Sequence, residues 1–243
     1  KAEAVINLAG EPIAEKRWTK NHCDLIRNSR IKTTEYLIKA MQKLNQPPRI
    51  LINGSAIGYY GTHPKSIFTE ESPCGQDFLS LLCNDWEEQA FCKPKKTRLV
   101  IIRVGIVLGN NGGALGKMMP IFKTGFGGPI GSGQQWMSWI HRTDLCEIIQ
   151  QALIQKRWKG TINCVAPDAV NMQEFSQILG DCLERPSLLR VPSQILKIFL
   201  GDGAKVILEG QNVKPKFLEK TEYKYKYPYL SEAILSSIKT QAQ

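Results

Sequence analysis

The chain has 243 residues, of which 42% are hydrophobic and 22% charged; this composition is typical of a globular protein and excludes a disordered or fibrous one. No apolar run reaches the roughly 18 to 20 residues that a membrane span needs, so we expect a soluble protein. The formal net charge is +10, but the basic residues are scattered and no RNA- or DNA-binding motif accompanies them, which argues against a nucleic-acid partner.

Seven cysteines and three histidines are spread along the chain without a C-x-x-C pair or any other cluster. An odd, scattered set of cysteines argues against a disulfide framework, and the spacing suits no metal site. We therefore expect no metal and a reducing compartment. This predicts a cytoplasmic protein, or one of the plastid stroma if the source is a plant or an alga.

The first half of the chain alternates short apolar runs with helical patterns. Buried strands are predicted at residues 4–9, 49–57 and 99–108, because each is a short apolar run bounded by glycine, proline or polar residues. Helices are predicted at 19–44 and 78–92 from apolar positions at helical spacing. Strands separated by helices of this length predict right-handed crossovers and a parallel sheet.

The second half begins with the same rhythm and then loses it. A helix is predicted at 143–155, a strand at 161–165, and a further helix at 171–183 that Asn171 caps. Beyond Pro186, short helical and basic stretches replace the alternation. We therefore predict an α/β fold with a Rossmann-like parallel sheet in residues 1–165 and a small, mostly helical C-terminal lobe, for substrate or as a lid, in 166–243.

A glycine-rich turn of the G-x-G-x-x-G type does not precede the first predicted strand. A dinucleotide-binding fold normally begins with a strand, such a turn and a helix whose N-terminus holds the pyrophosphate. The glycine-rich stretch 109–116 follows a strand, but its spacing is wrong and Pro120 comes soon after. We expect that the chain is a fragment in which the first βαβ units are absent; otherwise the argument for a cofactor fails.

Eight segments in order resemble the atypical short-chain dehydrogenase/reductases called epimerase-family proteins, of family 39U. They are V-I-N-L-A-G-E-P-I (5–13), S-R-I-K-T-T (29–34), S-A-I-G-Y-Y-G (55–61), D-W-E-E-Q-A (85–90), R-V-G-I-V-L-G (103–109), G-G-P-I-G-S-G (127–133), W-I-H-R-T-D-L (139–145) and L-E-G-Q-N-V-K-P (208–215). The resemblance implies NADP as cofactor, with NAD as the alternative, and a small-molecule substrate. It also implies a C-terminal domain of unknown function and an upstream G-x-T-G-F-I-G turn that this sequence does not contain.

The resemblance implies five places for cofactor contact, one of which is Ser55 at the end of the second strand. Leu8, Ala9 and Gly10 end the first strand, where small residues let a nucleotide approach the backbone or simply permit tight packing of strand and helix. Arg30 would face a phosphate or ribose, with a solvated helical arginine as the alternative. Arg103 and Val107 lie on the third strand, which should pass beneath the nicotinamide.

Catalytic residues are implied at the end of the second strand. In related enzymes a serine at the place of Ser55 binds the substrate oxygen, so we expect Ser55 to act there. Tyr59 and Tyr60 could present hydroxyls to a ligand, or could be buried aromatics with satisfied hydroxyls.

The usual Tyr-xxx-Lys pair is missing, because none of the seven tyrosines has a lysine four residues later. By spacing, Leu79 and Cys83 stand where that pair is expected, and neither can replace it. Lys65 follows Tyr60 by five residues in a loop and gives no supported substitute. His141 fits a structural role better than a catalytic one.

Three functions remain open. The first is an NAD(P)-dependent oxidoreductase or sugar-nucleotide-epimerase-like enzyme of unknown substrate. The second is a catalytically silent dinucleotide-binding protein with a regulatory or interaction role, for example in division, which the missing Tyr-Lys pair favours. The third and weakest is an RNA-binding relative of the same fold, whose mark would be strongly salt-dependent binding. A homo-oligomer is compatible with each of them.

Overall fold

A parallel sheet lies at the centre of the computed structural model, which describes residues 2–109 and 112–239. Asn110 and Asn111 of the predicted glycine-rich stretch fall outside the described residues. The strands are β1 (Ala4–Asn7), β2 (Ile50–Ala56), β3 (Ile67–Phe68), β4 (Arg98–Val104), β5 (Ile106–Leu108), β6 (Trp136–Met137), β7 (Trp139–His141), β8 (Gly160–Cys164), β9 (Val170–Asn171) and β10 (Asn212–Val213).

Nine helices accompany these strands in the described part of the chain. They are α1 (Lys20–Gln42), α2 (Phe78–Phe91), α3 (Gly113–Lys123), α4 (Arg142–Ile154), α5 (Met172–Leu183), α6 (Ser193–Leu200), α7 (Lys205–Leu208), α8 (Lys216–Lys220) and α9 (Leu230–Lys239). The predicted helices at 19–44, 78–92, 143–155 and 171–183 are confirmed to within two residues at each end. Thr19 caps α1 and Asn171 caps α5, each through its side-chain oxygen.

The main sheet has the strand order β1-β2-β4-β8, and all of its pairs are parallel. Apolar side chains of α1 and α2 cover one face, where Ile38 and Ala90 pack on Leu51 and Ile101. Helices α4 and α8 cover the other face, where Ile148 lies in the same cluster as the β2 and β4 side chains. Burial on both faces explains why these strands are nearly continuous apolar runs.

The strand predicted at 99–108 is wrong as a single strand, because the chain bends at Gly105. Strand β4 ends at Val104, and β5 then leaves the main sheet to pair with β7, with Ile106 opposite Trp139. A side chain at Gly105 would place its Cβ 2.5 Å from the carbonyl oxygen of Ser138. Only glycine permits this close approach of the two backbone segments.

Helix α3 was not predicted, because its sequence begins in glycines and contains Pro120. Leu115, Met119 and Phe122 recur at helical spacing on it, and all three are buried in the cluster that α5 and α9 complete. The burial of three large side chains outweighs the hydrogen bond that proline removes from the helix.

The C-terminal part is mostly helical, as predicted, and shares a hydrophobic cluster with the sheet region. Leu108 and Trp139 lie in the same buried cluster as Phe175 and Ile234. Tyr225 donates its hydroxyl to the carbonyl oxygen of Val165 at 2.8 Å. Apolar packing is thus continuous across residue 165. The division of the chain into a sheet domain (1–165) and a C-terminal lobe (166–243) stays a prediction.

Candidate functional site

A cleft of about 820 Å³ opens at the carboxyl edge of the main sheet. Ser55 and Ala56 at the end of β2 and Val104 at the end of β4 lie on its floor. This is the edge at which open α/β sheets bind ligands, and the volume suits a small molecule. A shallower hollow of about 380 Å³ beside the end of α4 contains none of the predicted site residues.

Ser55 is buried at the floor of the cleft, and its hydroxyl hydrogen already has an acceptor in the protein. Its Oγ donates a hydrogen bond to Oε1 of Glu87 at 2.5 Å. Because the serine proton is used there, the free lone pairs of Oγ are what the side chain can offer to a ligand. The predicted position of Ser55 at a ligand-binding edge agrees with this geometry.

Glu87 and Arg103 form a buried, two-point ion pair behind Ser55. The guanidinium of Arg103 donates from Nε to Oε1 and from Nη2 to Oε2 of Glu87, each at 2.8 Å. Burial alone would lower the pKa of Arg103, but the hydrogen bonds and charge of Glu87 outweigh it and raise that pKa. Paired carboxylate and guanidinium groups of this kind fix each other's orientation. Arg103, predicted to contact cofactor, thus lies behind the cleft wall and not in its lining.

Tyr60 and Tyr59 complete the surroundings of Arg103. The hydroxyl of Tyr60 donates to Oδ1 of Asn163 at 2.6 Å and accepts from Nη1 of Arg103 at 3.0 Å. Burial raises the pKa of Tyr60 to about 12, although Arg103 and Asn163 act in the opposite direction. The ring of Tyr59 lies 3.4 Å from the Arg103 guanidinium, and burial raises its pKa as well. Neither phenol lines the cleft, so a proton-donor role stays a prediction for both.

Gly10 and Arg30 meet at the end of β1, on the cofactor side predicted by the sequence. A Cβ on Gly10 would lie 2.8 Å from Cζ of Arg30, so the absent side chain makes room for the guanidinium. Arg30 lines the cleft, lies over the ring of Trp86 at 5.4 Å and is partly buried, which lowers its pKa. It is therefore not a fully solvated helical arginine. Leu8, Ala9 and Gly10 are exposed beside it.

Val107, predicted to contact the nicotinamide, is partly buried on β5 and does not line the cleft. Its neighbours Val104 and Ile106 do so instead. Alternate residues of an extended strand point to the same side, so Val104 and Ile106 share the cleft whereas Val107 does not.

Leu79 and Cys83 face the cleft from α2, in the positions where a Tyr-xxx-Lys pair was expected by spacing. A Cβ on Gly58 would lie 3.5 Å from Cβ of Leu79 and 4.0 Å from Sγ of Cys83, so all three meet beside Ser55. Burial raises the pKa of Cys83 to about 12, which keeps it as a neutral thiol. At the positions of the expected Tyr-xxx-Lys pair, the cleft is therefore lined by two uncharged side chains, Leu79 and Cys83.

His141 has the structural role expected of it. It caps α4, with Nδ1 accepting from the backbone N–H of Thr143 at 3.2 Å. Near the glycine-rich segment 127–133, Trp136 reaches the cleft, whereas Gly128 packs against the backbone of Leu189.

The described residues, 2–109 and 112–239, include neither a membrane-spanning helix nor a metal-binding cluster. No helix among them is long and apolar enough to cross a bilayer. They also contain no group of three or more histidine, cysteine, aspartate or glutamate side chains arranged to hold a metal ion.

Comparison with known proteins gives consistent similarities over almost the whole chain. The model of the NAD dependent epimerase/dehydratase family matches residues 1–164, and that of a domain of unknown function, DUF1731, matches residues 191–236. The chloroplastic epimerase family protein SDR39U1 homolog of Arabidopsis thaliana is 44% identical over 235 residues, which cover 95% of this chain and 67% of the relative.

Solved structures give the same result. The crystal structure of human epimerase family protein SDR39U1 with NADPH superposes with a TM-score of 0.95 at 37% identity, covering 98% of this chain and 82% of the human one. A nucleoside-diphosphate sugar epimerase from Corynebacterium glutamicum gives a TM-score of 0.77 at 31% identity, covering 98% of this chain and 46% of the other.

Proposed function

Because the chain belongs to the NAD-dependent epimerase/dehydratase family, among the epimerase family proteins related to SDR39U1, we propose that it binds NADP(H) and acts as an atypical oxidoreductase on a small molecule. The observation that carries this proposal is the cleft at the carboxyl edge of the sheet, which both Arg30 and Ser55 line. The human relative was crystallised with NADPH, which supports NADP over NAD.

The residues at this edge fit the nicotinamide half of a dinucleotide. The exposed backbone of residues 8–10 leaves room for a nucleotide to approach, and Arg30 supplies a partly desolvated positive charge for a phosphate or ribose. Val104 and Ile106 offer an apolar floor beneath the ring. When bound, the nicotinamide would supply or accept the hydride: a carbonyl that gains a hydride at carbon and a solvent proton at oxygen becomes an alcohol, and NADPH becomes NADP+.

Ser55 is our candidate for orienting the substrate oxygen. Glu87 takes its proton, so Oγ can accept a hydrogen bond from a substrate hydroxyl. The pair of Glu87 and Arg103 holds this orientation without touching the ligand, and Tyr59 and Tyr60 support Arg103 in turn. We therefore assign the two tyrosines a supporting role.

A second candidate function is binding of the dinucleotide without chemistry. The neutral side chains of Leu79 and Cys83 at the expected Tyr-Lys positions favour it, because neither can exchange a proton with substrate near neutral pH. Such a protein would use its cofactor-bound state to control a partner.

One experiment separates these candidates. NADPH is titrated into the protein by calorimetry, and NADPH consumption is then followed by absorbance against a panel of aldehydes and ketones. Binding with consumption supports the oxidoreductase, and binding without any consumption supports the silent protein. Absence of binding contradicts both.

We place the protein in a plastid stroma or in the cytoplasm. All seven cysteines are free, as expected in a reducing compartment, and the Arabidopsis relative is described as chloroplastic. Fluorescence microscopy of the tagged protein in cells of the source organism would distinguish the two compartments.

A further inference from the structure

One part of the cleft lining is built from aromatic side chains. Trp18 and Phe78 form an edge-to-face pair with ring centroids 5.1 Å apart, and both line the cleft. A Cβ on Gly203 would lie 2.6 Å from Cδ1 of Trp18, so the glycine backbone supports the indole from behind. The indole Nε1 donates to the carbonyl oxygen of Ile13 at 2.8 Å. Trp18 therefore offers the cleft an apolar surface, because its polar atom is already bonded.

The same arrangement recurs at Trp136, on another part of the wall. Its Nε1 donates to the carbonyl oxygen of Pro64 at 2.9 Å. Leu79 and Val206 also line the cleft, and both are aliphatic. Two indoles with occupied N–H groups and these aliphatic side chains leave few hydrogen-bonding atoms on this wall.

Buried hydroxyl groups are correspondingly few. The two in the described lining are those of Ser55 and Ser138. Ser138 Oγ donates to the carbonyl oxygen of Gln211 at 2.8 Å and accepts from the N–H of Val213 at 2.9 Å. The side chains of the interior therefore offer the lone pairs of Ser55 to a ligand hydroxyl, together with the amide of Gln211. A sugar ring carries several hydroxyls, and each one buried without a partner weakens binding.

Apart from Arg30, the charged side chains that line the cleft are all exposed and stand at its rim. They are Lys20, Asp77, Asp202, Lys205 and Glu209, and their formal charges sum to −1. Asp77 already accepts from Ser80, and Glu209 from Thr62. The rim therefore has a slightly negative net charge, which disfavours a ligand diphosphate. The other cation of the lining, Arg30, lies beside Gly10, where the cofactor is proposed to bind.

From this wall and rim we infer that the substrate is an uncharged, largely apolar carbonyl compound or the corresponding alcohol, and not a nucleotide sugar. The inference rests on the proposed NADP(H)-dependent function of the same cleft. In the alcohol form, the substrate hydroxyl donates to Oγ of Ser55. In the ketone form, the carbonyl oxygen accepts from the side-chain amide of Gln211. The carbon skeleton lies against Trp18, Phe78 and Leu79. Burial of apolar area against these side chains supplies the affinity.

The test compares two probes on the protein saturated with NADPH. Calorimetry measures the binding of 2-acetylnaphthalene, an uncharged aromatic ketone, and of UDP-glucose. The inference predicts saturable binding of the ketone and none of UDP-glucose. Binding of UDP-glucose, or no binding of the ketone, overturns it. Because NADPH is titrated first, failure of the proposed function is recognised separately as absence of NADPH binding.

A pair of matched variants distinguishes binding in the cleft from adsorption elsewhere. Leu79→Lys places a charge on the apolar wall, whereas Leu81→Lys makes the same change on the same helix at a position outside the cleft, where the side chain is 52% exposed. Leu79→Lys should weaken ketone binding by about tenfold or more without changing NADPH affinity. Leu81→Lys should leave both affinities unchanged. Equal effects of the two variants on ketone binding overturn the inference.

Discussion

Ser55 on β2 and Glu87 on α2 are joined by a hydrogen bond of 2.5 Å, in which the serine donates. Glu87 is in turn held at both oxygens by Arg103. A ligand that reaches Ser55 therefore meets an oxygen whose orientation is fixed by a buried ion pair. The same three side chains make specific predictions for stability and for activity.

Breaking the ion pair should destabilise the fold. Glu87→Gln leaves the Arg103 charge buried without its partner, and we expect a loss of about 3 to 5 kcal/mol in the free energy of unfolding. Urea unfolding followed by circular dichroism measures it. The adjacent Glu88 is exposed, so Glu88→Gln should change stability by less than about 0.5 kcal/mol. If both variants unfold at the same urea concentration, the pair has no such role.

Removing the Ser55 hydroxyl should separate activity from cofactor binding. In Ser55→Ala the ion pair remains, but a substrate hydroxyl loses its acceptor, so we expect oxidation of an alcohol by NADP+ to slow by about a hundredfold or more while cofactor affinity is nearly unchanged. NADPH formation and calorimetry measure the two quantities. Ser231→Ala, on the exposed side of α9, should alter neither. Unchanged turnover in Ser55→Ala would remove the proposed role.

The buried ring of His141 should make stability depend on pH. Burial, followed by the charges of Arg142 and Lys226, lowers the pKa of His141 in the fold. The folded state therefore favours the neutral ring, and the stability that this contributes is present above the unfolded pKa of about 6.5 and is lost as the pH falls.

The variant His141→Asn retains a side-chain oxygen that can cap α4 but does not titrate. When the pH is lowered from about 8 to about 5.5, the free energy of unfolding of His141→Asn should fall less than that of the natural protein. His63→Asn, at an exposed position, should lose as much as the natural protein. Melting temperatures at the two pH values provide the measurement, and equal losses in all three proteins would refute the assignment.

Cysteine reactivity should follow burial. Burial raises the pKa of Cys83 to about 12 and also raises that of Cys164, so neither thiol should react with iodoacetamide in the folded protein near pH 8. Cys92 and Cys146 are exposed and should be alkylated first. Mass spectrometry of peptides gives the order, and urea should expose the two buried thiols. If Cys83 were alkylated as fast as Cys92 in the folded protein, the burial of the Cys83 thiol would be contradicted.

Much of the sheet could be predicted from the sequence, because strands buried on both faces are short apolar runs and helices between them have a different period. The family resemblance carried by eight segments is confirmed by the comparisons. The bend at Gly105 could not be predicted, since it depends on a contact with Ser138 far along the chain. Helix α3 was missed because local signals from glycine and Pro120 oppose a packing that only the fold supplies.

At the site, Ser55 and Arg30 were expected from the family resemblance and both line the cleft, whereas Glu87 was missed. A signal for it was present. Glu87 falls on the apolar stripe of α2 that includes Cys83 and Ala90, and Arg103 lies in the middle of an apolar strand. Two opposite charges in two buried segments predict an ion pair, because an unpaired charge is too costly to bury.

The central claim is that NADP(H) binds at the carboxyl edge of the sheet beside Arg30, and NADPH titration by calorimetry tests it most directly. Three proteins are compared: the natural chain, Arg30→Ala, and Lys32→Ala, which removes an exposed charge from the same helix. We predict saturable binding that Arg30→Ala weakens by about tenfold or more and Lys32→Ala leaves unchanged. Absence of binding to the natural chain, or equal affinities in all three proteins, would contradict the claim.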